Sequence, residues 1–243
     1  MNVLCVIPAR YASTRLPGKP LKDIAGKPMI CRVYERAAKA SRVAAAIVAT
    51  DDSRIYDAVL QHGGKAVMTR KDHPTGTDRL AEVAEKYQDV DLIINVQGDE
   101  PLIEPKLIDE LAAAFDGDAD LQMATVCTEI TDESEQQNPN NVKVVMDKQG
   151  YALYFSRSLL PYPRHEGTPV YKHIGIYAYK RDFLLAYAKM AETPLEHAES
   201  LEQLRALENG YRIKVIKTPY RFVGVDTAED LEKVNAIYRQ MQG

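Results

Sequence analysis

Short apolar runs separated by helical patterns dominate the first hundred residues, and this alternation restricts the fold more than any other feature. Val3–Ile7, Ala46–Thr50, Lys65–Met68 and Leu92–Val96 read as strands. Between the first two, Pro28 marks a helix start, and Met29, Ile30, Val33, Tyr34 and Ala37 recur at helical spacing. Asp51, Asp52 and Ser53 offer caps for a helix reaching Leu60, closed by Gly63-Gly64. A further helix is predicted from Thr77 to Tyr87. Strands alternating with helices imply an α/β chain with a largely parallel sheet covered on both faces. Ligand-binding loops then lie beyond the carboxyl ends of the strands.

The second half is less regular. Leu121–Cys127, Val142–Met146, Ala152–Phe155 and Tyr171–Tyr179 read as strands, with a polar connection from Asp132 to Asn141. Helices are expected near Asp182–Met190 and Pro194–Glu208, short strands at Ile213–Lys217 and Phe222–Val225, and a last helix from Ala228 to Gln240. There is no repeat or flexible linker, so the expectation is one domain with an inserted or appended lobe.

With 45% apolar and 27% charged residues over 243, the chain has an ordinary globular composition. Its longest apolar runs fall far short of a membrane span, and Met1-Asn2 leads into the first strand with neither basic start nor cleavage site. Cys5, Cys31 and Cys127 are odd in number and set in apolar contexts, as expected of reduced core thiols in a cytoplasmic protein. The net charge of −4 hides an asymmetry: residues 1–42 hold nine Lys and Arg against Asp23 and Glu35, a net +7, which leaves −11 for the rest. That points to a local site for an anionic ligand and away from a nucleic-acid surface. Arg32, Arg36, Lys39 and Arg42 are accounted for by the solvated face of a helix.

Several common chemistries lack their motifs. Gly26-Lys27 is followed by Pro28, so no phosphate-binding loop ends in the hydroxyl that ligates magnesium. No G-x-G-x-x-G follows the first strand, and neither G-x-S-x-G nor zinc-ligand spacing occurs.

Instead, the first strand runs into Pro8-Ala9-Arg10-Tyr11-Ala12-Ser13-Thr14-Arg15-Leu16-Pro17-Gly18-Lys19-Pro20. Arg10, Arg15 and Lys19 on one such loop suit a triphosphate clamp, because arginine offers a planar fork to phosphate oxygens and lysine a mobile point charge. Nucleotidyl transfer needs such cations where charge grows on the α-phosphoryl group and the departing diphosphate. Gln97-Gly98-Asp99 follows the strand Leu92–Val96, where a carboxylate can hold Mg²⁺ against phosphates. Asp226, just before the cap pair Thr227 and Asp230, is a candidate second ligand. Asp116-Gly117-Asp118-Ala119-Asp120 has the look of a metal-binding D-x-D, but it follows a helix and precedes a strand, so it reads as a solvated acidic turn.

Taken together, PARYASTRLPGKPL, GKPMI, VATDD, TGTDRLAEV, NVQGDEPLI, NPNNVKVV, GYALYFSRS, KHIGIYAY, PLEHAESLEQLRALENG and GVDTAEDL closely resemble the CMP-Kdo synthetase (3-deoxy-manno-octulosonate cytidylyltransferase) family from residue 7 to about 231. The resemblance implies a Rossmann-like, mixed but mainly parallel sheet of the nucleotide-diphospho-sugar transferase type, with a smaller sugar-binding and dimerisation lobe. It implies a nucleotide-binding part over 1–127, a sugar-acid and dimer lobe over 128–220, and a closing strand and helix over 221–243. The implied reaction is CTP + Kdo → CMP-Kdo + diphosphate, with Mg²⁺, in lipopolysaccharide synthesis by a homodimer.

By position, the resemblance makes Arg10, Arg15 and Lys19 the triphosphate cations and Asp99 and Asp226 the magnesium pair. Pro8, Ala9, Thr75, Gly76, Thr77, Arg79 and Gln97 join the nucleotide site. Gln97, Arg157, His173, Tyr177, Glu202 and Gln203 make the sugar-acid pocket. Independently, Glu199, Glu202 and Gln203 at i, i+3 and i+4 are expected on one helix face beside Ala198, Leu201 and Leu204. Thr75 stands where the family commonly has Ser, and the 161–171 stretch is shorter than in some members. No general base is evident, which leaves metal-assisted ionisation of the sugar hydroxyl to supply the nucleophile. Rival readings are the same transfer to 8-amino-8-deoxy Kdo or a nonulosonic acid, and a nucleotide-binding regulatory protein without turnover.

Overall fold

β1 (Val3–Ala9) runs through the middle of the sheet, and its side chains are apolar on both sides because both sides are covered. It pairs in parallel with β4 (Ala45–Thr50) and with β6 (Leu92–Asn95), and β4 pairs in parallel with β5 (Ala66–Met68). β10 (Val170–Lys180) lies antiparallel between β6 and β7 (Met123–Ile130), and β11 (Ile213–Lys217) closes the far edge parallel to β7. The order is β11-β7-β10-β6-β1-β4-β5, with β8 (Lys143–Met146) pairing β10, and β9 (Ala152–Ser156) pairing β8. A separate hairpin joins β2 (Asp23–Ile24) to β3 (Lys27–Pro28). The computed structural model describes residues 1–12, 16–165, 167–220 and 222–242.

Alternation along β1 sends Val3, Cys5 and Ile7 to one face and Leu4 and Val6 to the other. The first face packs on α1 (Met29–Ala37), α2 (Ser53–Gln61) and α4 (Pro105–Ala113) through Ile30, Val33, Ile55 and Leu107. The second packs on α3 (Gly76–Lys86), α6 (Arg181–Tyr187) and α8 (Gln203–Glu208) through Leu80, Val83, Leu184 and Leu204. Local signals set the starts: Asp52 accepts from the Arg54 N–H at α2, and Thr75 and Asp78 form a reciprocal capping box at α3. α5 (Glu133–Gln137), α7 (Pro194–Glu199) and α9 (Ala228–Gln242) complete the helices described. α9 packs Val234 and Tyr238 against Ile24, Met29 and Val225 in a third, smaller core.

Two expectations are corrected. The helix expected over 194–208 is two helices, because Ser200 takes a left-handed conformation (φ 51°, ψ 50°) between α7 and α8. Glu199 therefore does not share a helix face with Glu202 and Gln203, and Ala198 is exposed while Leu201 and Leu204 are buried. The strand expected over 222–225 does not form. Its Val225 N–H donates instead to the Asp99 carbonyl (2.9 Å), so the segment docks on the loop after β6.

Candidate active site

The carboxyl ends of β1 and β6 lie side by side, and their loops enclose a cleft of about 360 Å³. Pro8, Ala9, Arg10, Ala12, Lys19, Pro20, Gln97, Gly98, Asp99 and Asp226 line it. Gly98 is required there: a Cβ would stand 2.8 Å from the Pro8 carbonyl oxygen, so a side chain would force the two strand ends apart. Gly18, at φ 66°, makes the other close approach, since its Cβ would lie 3.0 Å from the Tyr11 hydroxyl. Past Gly18 a short 3₁₀ turn, Lys19–Leu21, delivers Lys19 to the cleft.

Lys19 Nζ lies 2.6 Å from Asp99 Oδ2 and 3.1 Å from Asp226 Oδ1, which brings together residues from three distant parts of the chain. Burial works against the Lys19 charge, but Asp99 and Asp226 outweigh it and hold the pKa above the ordinary lysine value. The two carboxylates thus share one cation already. Among the described residues no three of His, Cys, Asp or Glu gather into a closed metal cage. An open pair of carboxylates beside Lys19 and Arg10 fits Mg²⁺, which takes one or two carboxylates and completes its shell with phosphate oxygens and water. Beside them the Glu100 carboxyl is pushed up to about 8, by burial first and then by the Asp99 charge.

Arg10 is exposed and donates from Nη2 to the main-chain carbonyls of His73 and, at 3.4 Å, Thr75. Arg15 lies outside the described residues. Thr75 and Gly76 open α3, and the Thr75 carbonyl accepts from Arg10. Arg79 differs from expectation: its side chain is fully buried, donating to Thr69 Oγ1 and lying 3.3 Å from Asp51, so it braces the loops after β4 and β5 instead of lining the cleft.

The expected sugar residues form a second group on the other sheet face. Gln97 Nε2 donates to the Gly175 carbonyl (2.7 Å) where the β7–β10 register shifts, which ties the cleft to β10. His173 stacks edge-on to Phe155 and against Tyr177, with Nε2 3.0 Å from Thr125 Oγ1. Burial lowers its pKa to about 3, so the ring is neutral. The Thr77 hydroxyl donates to Glu202 Oε2 (2.8 Å), and the Tyr187 hydroxyl donates to the Glu202 carbonyl (2.6 Å). Glu202 Oε1 and Gln203 Nε2 are buried without hydrogen-bond partners. Burial raises the pKa of Glu202 despite the Thr77 bond, and burial with the Glu202 charge raises that of Tyr177.

Arg157 is not in this group. Its guanidinium donates to the carbonyls of Glu199 (2.7 Å), Pro139 (3.2 Å) and Ser200 (3.4 Å), so it secures the turn between α7 and α8. Glu199, also off the expected face, accepts from the Ser156 hydroxyl and the Arg157 N–H. The acidic turn at 116–120 is structural, as expected: Asp118 accepts from Tyr151 and from the amides of Asp120 and Leu121, and Asp116 pairs with Arg42. Sequence reasoning missed His73, Glu82 and Glu100. Only the Glu82–Lys86 helix spacing carried any signal for these three.

A sheet of this order, with a basic loop facing two carboxylates at its carboxyl ends, is the framework of a nucleotidyltransferase. Residues 4–215 match the cytidylyltransferase family. A 3-deoxy-manno-octulosonate cytidylyltransferase from Fusobacterium nucleatum is 58% identical over 96% of both chains, and one from Geobacter metallireducens is 54% identical over 96% of both. The solved structure of a CMP:2-keto-3-deoxy-manno-octonic acid synthetase complexed with CTP superimposes with a TM-score of 0.95, at 50% identity over 99% of this chain and 100% of that one. The chain belongs to the cytidylyltransferase family, among the 3-deoxy-manno-octulosonate cytidylyltransferases.

Proposed function

We propose that this chain activates 3-deoxy-D-manno-octulosonate with CTP, forming CMP-Kdo and diphosphate for lipopolysaccharide synthesis. The observation that carries the reading is the Lys19 ammonium seated between Asp99 and Asp226 at the mouth of the cleft. In the reaction the anomeric oxygen of the sugar forms a bond to the α-phosphorus of CTP, and the bond from that phosphorus to the diphosphate oxygen breaks in line. Arg10 and Lys19 bind the triphosphate and offset the charge that grows on it. Asp99 and Asp226 would hold Mg²⁺, which would neutralise phosphate charge and favour ionisation of the sugar hydroxyl, whose proton passes to solvent.

On the sugar side, Glu202 Oε1, buried without a hydrogen bond and 3.9 Å from the Arg205 guanidinium, and the buried Gln203 Nε2, also without one, suit a polyhydroxylated ligand, because a buried polar atom left without a hydrogen bond costs more than bare apolar surface. Tyr177 lies close enough to feel the Glu202 charge, and the neutral His173 ring packs against it. Gln97 lies on both sides of the divide, lining the cleft and reaching Gly175. Residues 1–127 accordingly serve mainly the nucleotide and 128–220 the sugar acid. Two copies pair through the smaller lobe, where Leu153 on edge strand β9 and Tyr162 are exposed. Three buried, unpaired cysteines suit a reducing cytoplasm, where CTP is made.

The test is diphosphate release from CTP and Mg²⁺ with Kdo, its 8-amino-8-deoxy analogue and a nonulosonic acid in parallel. Release with Kdo alone supports the reading. Release with a different acid only keeps the clamp and overturns the sugar pocket, and CTP binding without release under any acid favours a regulatory protein.

A further inference from the structure

Arg10 stands at the exposed end of β1 on a long, flexible side chain, yet its guanidinium is tied to the segment between β5 and α3. That segment is itself pinned from behind. The Glu82 carboxylate, on the second turn of α3, accepts from the Arg70 N–H (2.9 Å), faces His73 Nε2 at 2.5 Å, and pairs with the Lys86 ammonium (2.7 Å). Burial opposes the Glu82 charge, but Lys86, the Arg70 amide and His73 together hold its carboxyl down at about 2. His73 is buried, and the same residue whose ring meets Glu82 offers its carbonyl to Arg10. The Thr75–Asp78 capping box fixes the other end of the segment. A carboxylate on a helix therefore reaches the clamp through one imidazole and one carbonyl.

We propose that Glu82 and His73 are positioning residues for Arg10. They hold the His73 carbonyl where it orients the guanidinium before CTP arrives, and so raise the affinity for the triphosphate. Pre-ordering matters because a long side chain that is already placed loses less freedom on binding. The imidazole Nε2–H donates to Glu82, which selects one tautomer and one ring orientation. This inference rests on the reading of Arg10 as a triphosphate cation.

The experiment is a double-mutant cycle on the full chain, reading the CTP dissociation constant by calorimetry, KM for CTP and for Kdo, and the unfolding temperature. Glu82→Gln keeps the shape of the side chain while removing its charge. It is expected to weaken CTP binding about tenfold, to leave KM for Kdo within about twofold, and to add nothing in the Arg10→Ala background, because residues that act as a unit are non-additive. Glu82→Asp is expected to recover part of the loss. His73→Gln gives the same readout should Glu82→Gln fold poorly. A lower unfolding temperature with unchanged CTP affinity overturns the inference, as does an equal loss with and without Arg10. If Arg10→Ala leaves CTP affinity intact, the reading of Arg10 falls together with it; silence of Glu82→Gln beside a weakened Arg10→Ala overturns only the positioning role.

Discussion

The Thr77 hydroxyl donates to the Glu202 carboxylate at 2.8 Å, across 125 residues of sequence, and so joins the first turn of α3 to the start of α8. Thr77 is only 4% exposed, and Tyr179 is a second hydrogen-bond partner of its side chain. Glu202→Ala is expected to cost about 1–3 kcal/mol of stability, for the loss of a buried hydrogen bond to a carboxylate. It should also raise KM for the sugar acid at least about fivefold while CTP affinity holds within about twofold. Urea unfolding and separate substrate titrations check the two halves of this statement.

Gly98 controls how closely β1 and β6 approach at the site. Its missing Cβ would stand 2.8 Å from the Pro8 carbonyl, a main-chain atom that cannot turn aside. Gly98→Ala is therefore expected to destabilise the protein by about 1–3 kcal/mol and to lower turnover, since Asp99 is the next residue. Gly76, where a Cβ meets nothing within 4 Å, is the control: Gly76→Ala should leave stability within about 1 kcal/mol.

His173 gives a pH dependence with a definite sign. Burial takes its pKa from 6.5 down to about 3, so between those values the folded protein binds fewer protons at this ring than the unfolded chain does. Stability from this group is full above 6.5 and falls as the pH drops through that window, by up to about 1.4 kcal/mol per pH unit. Between pH 7.5 and 5.5, wild type is expected to lose about 1 kcal/mol more than His173→Gln in denaturant titrations. Equal losses would mean that the ring is not held neutral.

Much of the parallel half of the fold is legible in the sequence, because strands buried on both faces are written as unbroken apolar runs. β1, β4, β5 and β6 fall within a residue or two of the expected runs, and the cap of α2, Asp52, is one of its three candidates. The break at Ser200 is not legible: serine in a left-handed conformation carries no marker, and the apolar spacing runs through it. The segment at 222–225 has strand-like lettering, yet it spends the Val225 amide on the Asp99 loop, a tertiary choice that overrides local pattern. Charge and metal candidates could be picked from type and position, so Arg10, Lys19, Asp99 and Asp226 line the cleft as expected. Arg79 and Arg157 could not, because an arginine letter does not say whether its fork meets a ligand or the protein's own carbonyls. The His73–Glu82 contact was hidden for the same reason, since the course of the 70–75 segment sets it.

The central claim, that Asp99 and Asp226 hold the metal that serves phosphoryl transfer, is tested most directly by Mg²⁺-dependent diphosphate release from CTP and Kdo in wild type and Asp99→Ala. Wild type should turn over, and chelation by EDTA should stop it until Mg²⁺ is restored. The variant, folded by circular dichroism, should fall by at least about a thousandfold, since it loses one of two carboxylate ligands and half of what seats Lys19. Turnover within about tenfold of wild type in folded Asp99→Ala would contradict the account.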